Sequence, residues 1–122
     1  MEEKKKILVI DDEADALELL KVRLGSHGYV VLSALNSAGA LEQARNKPDV
    51  VLLDLLIPTE EDGLRLFASL RNNEFTCRVP VIFLTGKSGE GKKLIQLGAY
   101  SFIEKPYETG ELFEKIISAL KA

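Results

Sequence analysis

The sequence predicts a doubly wound α/β domain: a five-stranded parallel sheet, strand order 2-1-3-4-5, between two helical layers in an α/β/α sandwich. Three observations carry that expectation. Short unbroken apolar runs recur along the chain, as strands buried on both faces require. Between them lie stretches whose apolar residues recur at helical spacing. The links are short, so successive strands run parallel and each helix makes a right-handed crossover over a sheet face.

Taken in order, Ile7-Leu8-Val9-Ile10 is the first strand and ends in Asp11-Asp12-Glu13. From Glu13 to His27 the apolar positions Ala14, Leu17, Leu20, Val22 and Leu24 form a helix, with acids in the first turn and Gly28 past its end. Residues 29–33 make a second strand, and Ser37 caps a second helix that runs through Asn46 with Ala40, Leu41 and Ala44 inward. Pro48 and Asp49 break the chain before Val50-Val51-Leu52-Leu53, the most aliphatic strand, which delivers Asp54 and is stopped by Pro58.

Asp62-Gly63 opens a third helix to Arg71, with Leu64, Leu66, Phe67 and Leu70 as its core face. Residues 79–84 form the fourth strand, ending at Thr85-Gly86. A glycine-rich turn from Gly86 to Gly91 leads to a short helix over residues 92–97, kept short because glycine costs about 1 kcal/mol in a helix relative to alanine. Residues 100–103 are the last strand, followed by Glu104-Lys105-Pro106. A final helix over 109–121 presents Leu112, Phe113, Ile116, Ile117 and Leu120. The second and fifth strands are less uniformly aliphatic than the rest, which suits sheet edges.

With 122 residues the chain fits one domain, large enough to bury about two thirds of its unfolded surface. A formal net charge of -3 gives no basic field for nucleic acid. Cys77 is the only cysteine, which rules out an internal disulfide and favours a reducing compartment. No apolar run approaches the roughly 18 residues of a membrane span, so a cytoplasmic location is expected.

In such a sheet all strands end at one edge. That edge collects Asp11 and Asp12, Asp54, Thr85 and Lys105. The topological switch point lies between strands one and three, so the three acids become neighbours. Two unit charges about 4 Å apart repel by about 4 kcal/mol at an effective dielectric of about 20, so the cluster needs a cation or raised pKa values. Oxygen-only ligands at a partly hydrated site favour Mg2+ or Mn2+. A metal beside a carboxylate, flanked by a hydroxyl and an ammonium, suits phosphoryl transfer to that carboxylate.

These residues carry a resemblance. Asp11-Asp12-Glu13, Asp54 with Pro58, Thr85-Gly86 and Lys105-Pro106 resemble the pattern of the response-regulator receiver domain of two-component signalling, over almost the whole chain. The resemblance implies a flavodoxin-like fold and a single receiver domain over residues 1–122 with no output domain. It implies that Asp54 accepts a phosphoryl group from a phosphohistidine on a sensor histidine kinase or phosphotransfer protein. By the same resemblance Asp12 binds Mg2+ directly (Mn2+ can replace it) and Asp11 mostly through water. Asp54 and the backbone carbonyl of Leu56 complete the protein ligands. Thr85 would hydrogen-bond a phosphoryl oxygen, and Lys105, whose bond to Pro106 is expected cis as it often is in the family, would pair with the phosphate. Phe102 matches the family's switch aromatic, so the face built from the fourth helix, fifth strand and fifth helix would change shape for a downstream protein or output domain. Leu56 and Lys87 stand where the family tunes phosphoryl lifetime. The protein is then a switch that catalyses its own phosphorylation and slow dephosphorylation, not a metabolic enzyme, and it binds neither nucleic acid nor membrane directly.

The segment from Pro58 to Gly63 is slightly longer than the family's usual loop, and Thr85 to Lys105 is slightly shorter. Other readings fare worse. Gly86 to Lys93 has the spacing of a phosphate-binding loop, but Lys93 stands where Ser or Thr must ligate magnesium. An FMN site would place phosphate at Asp11-Asp12-Glu13, which repels it. A haloacid-dehalogenase-type phosphatase needs a second Asp where Leu56 stands. A receiver-like interaction module that works without phosphorylation is the remaining alternative.

Overall fold

Among the described residues, strands and helices alternate: β1 (Lys6–Ile10), α1 (Ala14–Ser26), β2 (Val30–Ala34), α2 (Ser37–Ala44), β3 (Val50–Asp54), α3 (Glu60–Arg71), β4 (Val81–Thr85), α4 (Gly91–Gln96), β5 (Ser101–Glu104) and α5 (Thr109–Lys121). The computed structural model describes residues 3–86, 89 and 91–122. All strand pairs are parallel, in the order β2-β1-β3-β4-β5. The expected architecture is therefore the observed one, with β2 and β5 at the edges.

Side chains alternate across a strand, and that alternation splits the core in two. Ile7, Val9, Leu52, Leu84 and Ile103 pack with Leu17, Leu20 and Leu24 of α1 and with Leu112, Phe113 and Ile116 of α5. Leu8, Ile10, Leu53 and Phe83 pack on the opposite face, with Ala40 of α2, Leu66 and Phe67 of α3 and Leu94 of α4. Every residue of β3 and β4 is buried, as their unbroken apolar sequences require. The register aligns Ile10 with Leu53 and Asp54 with Leu84, so strand ends meet at one edge.

Several local expectations are corrected. Val22 is 67% exposed, because only Leu17, Leu20 and Leu24 keep the three-and-four spacing that faces the sheet. Ile117, 45% exposed, lies off the buried face of α5 for the same reason. The cap of α2 is Asn36, not Ser37: Asn36 is extended and its side-chain oxygen accepts from the Gly39 N–H at 2.8 Å. That helix closes at Ala44, ahead of Lys47, whose φ is 56°. Helix α3 begins earlier than expected. Thr59 caps it by accepting from the Asp62 N–H at 3.1 Å, which places Glu60, Glu61 and Asp62 in the first turn, where acids complement the helix dipole. Strands β2 and β5 each end one residue later than the sequence indicated, at Ala34 and Glu104, while β4 ends at Thr85 as expected.

Helix α3 approaches the end of β3 so closely that position 63 has no room for a side chain. A Cβ there would overlap the Leu55 carbonyl oxygen and lie 2.9 Å from its carbon. The atoms in the way are backbone, which cannot swing aside. Helix propensity alone would make Gly63→Ala stabilising by about 1 kcal/mol; the close approach reverses the sign. We expect Gly63→Ala to destabilise the protein by about 1–3 kcal/mol in chemical denaturation, the usual range for forced overpacking.

Candidate functional site

Asp11, Asp12 and Asp54 reach the same point by three short routes. Asp11 follows β1 directly, and its N–H donates to the Ala34 carbonyl at 3.1 Å, which extends the sheet pairing by one residue. Asp12 is the next residue, on the exposed turn into α1. Asp54 is the last residue of β3, and Leu55 continues the pairing by donating to the Leu84 carbonyl at 2.9 Å. One carboxylate oxygen from each acid lies within 4.8 Å of the others. The three carboxylates and Lys105 are therefore the charge constellation that the sequence placed at this edge.

Each acid is held differently. Asp54 is 8% exposed. Its Oδ1 accepts from the Leu56 N–H at 3.1 Å and its Oδ2 accepts from Lys105 Nζ at 3.0 Å. Asp11 is 1% exposed, and its Oδ1 accepts from the Glu13 N–H at 2.9 Å. Those two backbone donors were not legible in the sequence, because no side-chain pattern marks them.

The electrostatics follow from this crowding. Burial pushes the Asp11 carboxyl above the ordinary carboxylate range; the Glu13 N–H opposes this, while Asp54 adds to it. Burial works against the Lys105 ammonium, but the hydrogen bond and charge of Asp54, with Asp11 behind it, hold its pKa above the usual lysine value. Three carboxylates against one ammonium leave an excess of negative charge at a cleft of about 310 Å³, lined by Asp12, Asp54, Leu56, Pro58 and Lys105 among others. Hard oxygen donors around a hydrated cleft match a magnesium-sized cation, so the donor set fits the metal that the sequence implied.

The remaining named residues surround this centre. Thr85 ends β4, is 1% exposed, and its carbonyl accepts from the Lys105 N–H at 2.7 Å. Leu56 is 42% exposed at the rim. Phe102 sits on β5 opposite Phe83, half-buried against the α2–α3–α4 side of the core. Both Lys105-Pro106 and Ile57-Pro58 are cis; only the first was expected. Lys87, like Ser88 and Glu90 of the glycine-rich turn, lies outside the described residues. Lys93, the doubtful position of the phosphate-loop reading, lies within α4 and pairs with Glu60 of α3 at 3.7 Å.

Residues 7–117 match the family described as the response regulator receiver domain. The phosphate regulon transcriptional regulatory protein PhoB of Pseudomonas aeruginosa is 36% identical over 120 residues, covering 96% of this chain and 52% of that protein. The chain spans about half the length of the curated relatives it matches. Among solved structures, the BeF3-activated N-terminal receiver domain of Klebsiella pneumoniae RstA superposes with a TM-score of 0.84 at 27% identity, over 97% of this chain and all of that one. The chemotaxis response regulator CheY4 of Vibrio cholerae shares the fold, with a TM-score of 0.86 at 24% identity, over 97% of this chain and all of CheY4. With the family match running from β1 to α5, the chain belongs to the response-regulator receiver domain family of two-component signalling.

Proposed function

We propose that this chain is a phosphorylation-activated switch in which Asp54 is the phospho-acceptor, and that residues 1–122 act as a single receiver unit. The observation that carries the reading is the Asp54 carboxylate at the end of a fully buried central strand, 3.0 Å from Lys105 Nζ and beside two further carboxylates. The donor is a phosphohistidine on a sensor histidine kinase or phosphotransfer protein.

In the reaction an Asp54 carboxylate oxygen attacks phosphorus. The new O–P bond forms as the P–N bond to the donor imidazole breaks, and the imidazole departs with the bonding electron pair and takes up a proton. Asp12, Asp11 through water, Asp54 and the Leu56 backbone carbonyl would hold Mg2+, which when bound supplies neutralisation of charge on the transferring oxygens. Strand pairing and the Leu56 N–H fix Asp54 before any donor arrives, so little ordering entropy is lost at the reacting group. Lys105 already donates to Asp54 and can transfer that hydrogen bond to a phosphoryl oxygen. Thr85, one residue beyond the Leu84 that pairs with Asp54, offers a hydroxyl from the neighbouring strand. Drawing Thr85 inward makes room for the Phe102 ring and reshapes the face of α4, β5 and α5, which a downstream protein or an output domain reads. The location is cytoplasmic; among the described residues no helix is long and apolar enough to cross a membrane.

The decisive experiment is incubation with acetyl phosphate and Mg2+ followed by intact mass. A labile gain of about 80 Da, one phosphoryl group, should require Mg2+ and vanish in Asp54→Ala. A gain that survives in Asp54→Ala moves the acceptor elsewhere, and no gain in the parent protein favours a module that works without phosphate. Asp12→Asn removes one exposed member of the acid cluster. Without metal it should raise stability by roughly 1 kcal/mol, the water-screened repulsion of two unit charges about 4 Å apart. It should also abolish the rise in Tm that Mg2+ gives the parent protein; a retained metal response removes Asp12 from the ligand set. Leu56 covers the cleft with an apolar side chain that cannot orient water. Leu56→Asn should therefore speed loss of the phosphoryl group several-fold in a mass-resolved decay, and an unchanged rate sinks that role.

A further inference from the structure

We propose that Gly91 is the seat of the Phe102 ring, and so the positioning residue through which α4 takes its place according to the state of the Asp54 site. Gly91 is the buried first residue of α4. Glycine is a poor opening for so short a helix, and the backbone does not demand it: the glycines with positive φ are Gly28, Gly89 and Gly98. Space does demand it. The three nearest heavy atoms to a Cβ built at position 91 are Cζ, Cε1 and Cε2 of Phe102, and all three would overlap it. The ring tip therefore occupies the volume that a side chain would fill.

These atoms belong to the far end of a movable side chain, unlike the backbone facing Gly63. A side chain at 91 thus displaces the ring and leaves the fold standing. Each half of the contact lies a short distance along the chain from the site. Phe102 is three residues before Lys105, which donates to Asp54, and Gly91 follows the turn that leaves Thr85. Strands β4 and β5 are locked together by the pairing of Thr85 with Glu104 and by the Lys105 N–H on the Thr85 carbonyl at 2.7 Å. A shift of Thr85 and Lys105 toward a phosphorylated Asp54 therefore acts on both halves, unseating the ring and releasing the first turn of α4. This role rests on the phosphorylation switch proposed above, whereas the seat itself rests on packing alone.

Four proteins separate the two: the parent, Gly91→Ala, Phe102→Leu and the double variant. Leucine keeps an apolar group at 102 but has no atoms at the ring-tip positions that overlap. Gly91→Ala should lower Tm by several degrees in the parent and raise it in the Phe102→Leu background, where only helix propensity remains. A rise in both backgrounds, or an equal fall in both, overturns the seat, as does failure of both alanine variants to fold. The ring is then followed by NMR with labelled phenylalanine, before and after acetyl phosphate with Mg2+. In the parent the Phe102 signals should move on phosphorylation. In Gly91→Ala they should start displaced and move less, while Asp54 still gains its phosphoryl group. A full phosphate-dependent shift in Gly91→Ala overturns the positioning role. Absence of any phosphoryl gain in the parent defeats the switch, and with it the positioning role, while the reversal of sign in Tm still decides the seat.

Discussion

The structure depends on holding three carboxylates at one sheet edge against their mutual repulsion. Parallel strands make that crowding unavoidable, since β1 and β3 are neighbours, Asp11 directly follows β1 and Asp54 ends β3. The protein offsets the cost with fixed dipoles and one mobile charge. The Glu13 and Leu56 N–H groups each hold one carboxylate oxygen, and Lys105 reaches back across the edge to Asp54. The charge left over makes the cleft a place where a cation is stabilised and where Asp54 stays oriented toward whatever enters.

The loops around that edge are positioned by close approaches as much as by hydrogen bonds. At Gly63 the helix backbone lies against the Leu55 carbonyl, which pins α3 next to the segment that carries Leu56. At Gly91 the obstacle is an aromatic ring. The two contacts differ in kind. Backbone against backbone leaves nothing that can swing aside, whereas a ring is the far end of a rotatable side chain. In the switch proposed above, the side of the site that changes is therefore the one toward α4 and β5, and the side toward α3 stays fixed.

Membership of the receiver family accounts for why the rival readings of the sequence fail. The glycines between Thr85 and Lys93 have the spacing of a phosphate loop, yet Gly91 and Lys93 are engaged by Phe102 and Glu60. What resembled a nucleotide signal is in part the space requirement of a neighbouring ring.

The fold class, the strand order and the meeting of Asp11, Asp12, Asp54, Thr85 and Lys105 at one edge were legible in the sequence. Buried parallel strands read as unbroken apolar runs, and topology alone brings their ends together. Those signals are local, and each element carries its own. Helix caps were less legible: Asn36 and Ser37 are equally good caps on paper, and backbone conformation chose the first. The outward turn of Val22 and Ile117 needed the sheet itself, since an apolar residue does not announce which face it takes. The backbone donors to Asp11 and Asp54, and the reasons for Gly63 and Gly91, lay entirely in the tertiary structure. A glycine in sequence records only that a side chain is missing, and what fills its place is decided by a residue far along the chain.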